Sequence, residues 1–195
     1  MSVNKSKPVY TPLRVDTSGR FHLMLGLAEG AAALHRVIDE LHAVAPDSLG
    51  RTRVLLCNTV ERFQDRGLAA VQVFENTTAL LADFHATLER SLMGTRLYVA
   101  GPENFIGRTL QIAHAFNLNK DEIRTEHCGT HARRVHCVHC RATTEDVRTN
   151  IVRCSGCCRW LAVRDHYSRR LAAYMGVMAD AEAPGELPPM QEAYP

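Results

Sequence analysis

The chain has 195 residues, 46% of them hydrophobic, and a formal net charge of +2. That excludes a disordered, highly charged chain and gives length for one ordinary domain plus a small appended one. Nowhere do about 18 apolar residues run together to span a bilayer, and the first residues carry two lysines with no apolar run behind them; a soluble, cytoplasmic protein is expected. The charge is uneven: balanced from Met1 to Glu126, +6 from His127 to Arg170, where nine arginines face three acids, and −4 from Leu171 to Pro195.

Residues before about Phe21 lack periodicity and read as an arm or an irregular first strand. Phe21-His-Leu-Met-Leu-Gly predicts a strand. Ala28 to Ala43 follows with helical spacing through Leu34, Val37, Ile38 and Leu41. Thr52-Arg-Val-Leu-Leu-Cys and Ala70-Val-Gln-Val-Phe read as further strands, and Thr77 to Leu92 as a helix. Arg96 to Ala100 predicts a strand running into Gly101-Pro102, Glu103 to Asn117 a helix, and Glu122 to Glu126 a last strand. Alternating strands and helices predict an α/β fold with a parallel sheet covered on both faces, three layers in all, over residues 1–126.

From His127 glycines, histidines and cysteines replace that rhythm, and a second unit, 127–195, is expected. Six of the seven cysteines fall between Cys128 and Cys158, which without a secretory signal favours metal binding over disulfides. Cys137-Val-His-Cys140 and Cys154-Ser-Gly-Cys157 are C-x-x-C pairs thirteen residues apart. Two such turns supply four thiolates to a tetrahedral ion, as in a zinc-ribbon or rubredoxin-like β module. The linker, with its strand-forming Asp146 to Arg153 stretch, is read as a hairpin that brings the turns together. Zinc is preferred to iron because Arg141 and Cys158 stand where redox-active turns usually have glycine, with iron the minority alternative. Cys128, Cys158, His127, His131, His136 and His139 are left over, the histidines as members of a basic surface. Cys57 reads as core.

Leu97-Tyr-Val-Ala-Gly-Pro-Glu-Asn-Phe-Ile, followed by a helix and Asp121-Glu-Ile-Arg-Thr-Glu, is similar to the end of the NAD-binding domain of ferredoxin reductases of the phthalate dioxygenase reductase type, with Ala100 in place of that family's cysteine. The resemblance implies cofactor contacts at Gly30, Gly101 and Pro102. Only Gly30 fits the family's glycine-rich turn, and Glu29 sets a negative charge where a phosphate would lie, so a degenerate nucleotide fold is expected. Trp160 to Gly185, with the paired cysteines and the reductase-like segment before them, resembles the DmmA-like subunit of bacterial dimethylamine monooxygenase. That resemblance implies a multi-subunit, NAD(P)H-dependent haem monooxygenase that oxidatively N-demethylates dimethylamine to methylamine and formaldehyde.

Arg141 follows Cys140, so there is no C-x-x-C-H haem motif. Haem, flavin and an iron-sulfur cluster are therefore expected on partners, a haem-bearing catalytic subunit and a flavin/iron-sulfur reductase subunit. This chain is expected to serve assembly, docking or electron delivery with no catalytic residue of its own. Arg164, Asp165, His166, Tyr167, Arg169 and Arg170 are the candidate partner contacts. The alternatives are a zinc-ribbon nucleic-acid binder, disfavoured by scarce aromatics and the acidic tail, and a true NAD(P)H-binding reductase component.

Overall fold

The computed structural model describes residues 6–61, 63 and 67–195. The chain forms two compact units, one of Tyr10–Gly129 and one of Thr130–Pro195 joined by the segment that ends at Val9. No helix among the described residues is long and apolar enough to cross a membrane.

In the first unit five strands, β1 (Phe21–Leu27), β2 (Thr52–Cys57), β3 (Ala70–Phe74), β4 (Thr95–Gly101) and β5 (Ile123–His127), form an all-parallel sheet in the order β3-β2-β1-β4-β5. The inner strands are near-continuous apolar runs because both faces are covered. On one face Leu23, Leu25, Leu55, Cys57, Leu97 and Val99 pack under α2 (Thr77–Leu88) and α3 (Glu103–Ala115). On the other, Met24, Val54, Leu56 and Tyr98 pack under Ala31, Leu34, Val37, Ile38 and Leu41 of α1 (Gly30–Val44). The expected α/β layering and buried Cys57 are therefore found. α2 begins at the Asn76 cap, whose Oδ1 accepts from the Ala79 amide at 2.9 Å, and ends at Leu88, four residues earlier than the apolar spacing predicts.

Among the described residues no strand forms before Phe21; residues 6–20 are an irregular arm pinned by polar contacts. Asp16 Oδ2 accepts from Arg96 Nε and Arg124 Nη2, each at 3.0 Å, its Oδ1 accepts from Ser18, and its amide donates to the Tyr98 hydroxyl at 3.0 Å. Tyr98 in turn lies 3.2 Å from Nδ1 of buried His22. Burial would raise the Asp16 carboxyl, but the Ser18 and Arg96 bonds outweigh it and hold it below 3.8. Burial pushes the His22 imidazole below 6.5. The signs are separable. The unfolded chain takes up a proton at His22 that the folded chain refuses, so this stability fades as pH falls below about 6.5, whereas the Asp16 contribution is lost only as pH falls from about 3.8 through its own lowered value. We expect the thermal midpoint of the first unit to drop between pH 7 and pH 5, and His22→Gln to give a shallower slope; a slope unchanged by the substitution contradicts the assignment.

The second unit is a five-stranded sheet of β6 (Arg133–Cys137), β7 (Thr143–Val147), β8 (Ile151–Arg153), β9 (Trp160–Ser168) and β10 (Ala173–Met178), in the order β7-β6-β10-β9-β8. The linker between the cysteine pairs is not the hairpin expected of it. β7 and β8 lie at opposite edges, β7 pairing with β6 and β8 with β9. Each C-x-x-C turn reverses the chain on itself, so the strands flanking each turn pair with one another, and β10 joins the two hairpins through the centre.

Candidate metal centre

The two cysteine turns are built alike. Cys137 N–H donates to Ala142 C=O at 2.9 Å and Cys154 N–H to Arg159 C=O at 2.8 Å; Arg141 N–H returns to Cys137 C=O at 2.9 Å and Cys158 N–H to Cys154 C=O at 3.1 Å. This folding requires a left-handed residue after each second cysteine, and Arg141 (φ 64) and Cys158 (φ 59) adopt it without being glycine. The missing glycines therefore do not change the turn, and the turn shape does not choose between zinc and iron. Gly156 is the steric requirement the sequence reading passed over: a Cβ there would lie 2.6 Å from Ala142 Cβ and 3.0 Å from Cys140 Sγ.

The hairpin tips bring Cys137, Cys140, Cys154 and Cys157 together with all four sulfurs within 4.8 Å of one another, the one such group among the described residues. Cys137 and Cys157 sulfurs are 3.8 Å apart, and Cys140 and Cys154 sulfurs 3.5 Å. A tetrahedral ion with metal-sulfur bonds of about 2.3 Å sets its sulfurs about 3.8 Å apart, so the residues fit such an ion and the cluster could hold one. The Arg159 amide, with further help from the neighbouring sulfurs, brings the Cys157 thiol down to about 6. At Cys140 the Ala142 amide favours the thiolate, but burial and bonds to the other three sulfurs outweigh it and push the thiol up to about 11. Four crowded thiols resist ionising together; a divalent cation among them reverses that. Four protein sulfurs close a tetrahedral shell, which suits a structural ion better than one that binds a reacting molecule. Cys158 is exposed and outside the cluster, and His139 faces Arg159 instead.

The residues expected to contact partners have distinct fates. β9 continues through Ser168, and its register with β10 runs from Arg164 opposite Met175 to Tyr167 opposite Tyr174, so Asp165 and His166 form a bulge with no residue across from them. Arg164, Asp165, His166, Arg169 and Arg170 are exposed. Tyr167 is corrected to the interior: it is 8% exposed and packs edge-on against Tyr174 with centroids 5.0 Å apart. Asp165 meets Arg133 Nη1 at 2.7 Å, and Arg133, absent from the sequence reading, is buried.

Gly30, Gly101 and Pro102 gather where the strand order of the first unit reverses, at the carboxyl ends of adjacent β1 and β4, the place where open α/β sheets bind ligands. Gly30 is there for packing: a Cβ would sit 2.1 Å from the Ala100 carbonyl oxygen. A Cβ on Gly101 (φ 154) would lie 3.0 Å from Phe105 Cδ1 and 3.2 Å from Leu27 Cβ. Around them Glu29 stands at the N-cap position of α1 without a side-chain cap bond, Glu103 opens α3, and the chain's own residues fill in. Cys128 N–H donates to Gly101 C=O at 3.0 Å, a Cβ on Gly129 would lie 2.9 Å from Glu29 Oε2, and Tyr10 donates to Glu103 at 3.2 Å. Burial, then the Glu126 charge, raise the Cys128 thiol, so it stays protonated.

An α/β unit with a parallel five-stranded sheet, followed by a β module with a metal-competent cysteine cluster, is the class these observations define. Models of the dimethylamine monooxygenase subunit DmmA-like N-terminal domain and C-terminal domain match residues 2–123 and 134–177, and the chain belongs to that family. The heme-dependent oxidative N-demethylase delta subunit of Ectopseudomonas mendocina (strain ymp) is 35% identical over 115 residues, 59% of this chain and 66% of that protein. The chain thus spans just under two thirds of that relative's length. Similar solved structures include a ferredoxin reductase in carbazole 1,9a-dioxygenase (TM-score 0.45, 17% identity, 60% of this chain and 34% of that one). Phthalate dioxygenase reductase is another (TM-score 0.45, 13% identity, 68% and 46%).

Proposed function

We propose that this chain is an accessory subunit of a multi-subunit, haem-dependent oxidative N-demethylase acting on a small secondary amine, dimethylamine in the first instance. The observation that carries the reading is that both halves of one chain match the two domains of a single family of monooxygenase subunits. Haem, flavin and iron-sulfur centres reside on the partner subunits, and this chain contributes assembly, docking or control of electron delivery.

Within it, residues 1–126 act as a degenerate nucleotide-binding-like scaffold and 127–195 as a zinc-ribbon-like docking module. Zinc is held by Cys137, Cys140, Cys154 and Cys157, where it supplies folding energy and no redox chemistry. Arg164, Asp165, His166, Arg169 and Arg170 meet the partner, all five being exposed, with Asp165 and His166 in the bulge that has no residue opposite it in β10. Deleting the chain from its host tests the reading: loss of dimethylamine oxidation, restored by supplying the chain alone, is expected, and normal turnover without it overturns the proposal.

The reductase alternative places NAD(P)H at Gly30, Gly101 and Pro102. Glu29 and Glu103 both stand at helix N-termini there, where a phosphate would need uncompensated positive charge. We expect no saturable NADPH fluorescence change with the isolated chain. A micromolar dissociation constant, about −8 kcal/mol, would mean that the main-chain amides overcome those carboxylates.

A further inference from the structure

The segment Leu187–Pro195 has no helix or strand of its own, and Leu187 and Met190 remain 43% and 53% exposed. It is nevertheless held against the β7–β8 connection by main-chain bonding of the kind one strand makes to another. Asn150 N–H donates to Gln191 C=O at 3.1 Å, Gln191 N–H donates to Asn150 Oδ1 at 2.7 Å, Asn150 Nδ2 donates to Pro189 C=O at 3.0 Å, and the Ala193 and Tyr194 amides both donate to Arg148 C=O at 2.9 Å. One side chain of the segment goes inward. The Tyr194 ring covers Arg133, whose guanidinium lies 3.8 Å from the ring centroids of both Tyr194 and Tyr174 and pairs with Asp165.

Extended backbone supplied to a receptive edge, with one aromatic side chain in a pocket, is how peptides dock on sheets. We propose that Arg148–Asn150 together with the Arg133, Tyr174 and Asp165 pocket is a peptide-docking groove, occupied here by the chain's own Leu187–Pro195 segment as a resident ligand. The groove fits an extended, acidic, aromatic-bearing segment. Arg133 stacks on the aromatic ring, and the net charge of +6 between His127 and Arg170 favours an acidic residue such as Glu192 of the resident segment. A partner segment of that chemistry engages the groove by displacing the resident one.

Amide hydrogen exchange on the full chain carrying Tyr194→Ala tests this. The Asn150 amide should exchange about tenfold faster or more, in line with the loss of a desolvated cation-aromatic contact, while the metal content stays unchanged. A synthetic peptide Leu-Pro-Pro-Met-Gln-Glu-Ala-Tyr-Pro added in trans should restore protection in that variant, and the same peptide with its tyrosine replaced by alanine should not. The unsubstituted chain, its groove filled, should bind neither peptide, and Tyr194→Phe should behave like it. Ala193→Pro, which removes a main-chain donor without touching the Arg133 stack, should also open the groove and accept the peptide. Unchanged Asn150 protection in Tyr194→Ala, failure of the peptide to restore it, or loss of metal in both variants makes the segment a fixed part of the fold and overturns the proposal.

Discussion

Cys137→Ser is expected to strip the ion from the chain and unfold Thr130–Pro195, while Tyr10–Gly129 keeps its parallel sheet. The apolar cluster of the second unit is small: Val135, Val147 and Leu161 are its buried aliphatic members, and the sulfurs of Cys137 and Cys154 complete it. Even with Ile151, Tyr167 and Tyr174 as further large buried side chains, this core is small against the entropy of ordering five strands. Metal binding at four-thiolate and related structural sites contributes about 10–16 kcal/mol in small peptides, and a serine at 137 forfeits a strong ligand while leaving a hydroxyl where the sulfur is 0% exposed. The first unit has two large clusters of its own, one on each face of its sheet. Metal analysis and amide spectra of the variant check this. Less than about half an equivalent of metal with the second unit's signals collapsed is expected, and a folded second unit without metal contradicts it. His139→Ala, outside the sulfur cluster, should leave both intact.

The charge reversal Arg169→Glu with Arg170→Glu is expected to abolish assembly and coupled dimethylamine oxidation without loss of metal. Both arginines are exposed in the turn between β9 and β10, and that turn is closed by Ala172 N–H to Arg169 C=O at 3.3 Å and Leu171 N–H to Ser168 Oγ at 3.3 Å, contacts that a glutamate at 169 or 170 does not remove. These bonds order the turn backbone in the free chain, which lowers the ordering cost of binding. An interface arginine contributes about 2 kcal/mol or more when it is a hot spot, so losing two and introducing two repulsive charges should weaken assembly more than about 100-fold. Size-exclusion or interferometry against the partner subunits reads this directly. A double variant that assembles and turns over normally makes these arginines ordinary surface charge, and one that loses metal makes them structural.

The parallel sheet was legible in the sequence because burial on both faces writes uninterrupted apolar runs, such as Val54 to Cys57 and Leu97 to Ala100, between amphipathic helices. The four cysteines were legible for a different reason: C-x-x-C fixes a local turn, and only two such turns exist. Their arrangement was not. Pairing of β10 with β6, about forty residues apart, and with β9 is set by tertiary packing that no local pattern encodes. Tyr167 could have been placed inside from its two-residue spacing with Leu161 and Val163, but the arginines around it dominated the reading. Arg133 and Tyr194 left no signal at all, since each is an ordinary polar residue until the fold stacks one on the other. Asp16 is the same: its partners Arg96 and Arg124 lie far along the chain.

Affinity purification of the tagged chain from its own host, with a visible spectrum and metal analysis of whatever accompanies it, tests the central claim most directly. The account predicts that haem and flavin absorbance co-elute with the chain and stay with the partners when the complex is dissociated, leaving the isolated chain colourless with one zinc per molecule. A chain that elutes alone contradicts the subunit assignment; one that retains an iron-thiolate or haem spectrum after dissociation contradicts the structural role given to Cys137, Cys140, Cys154 and Cys157.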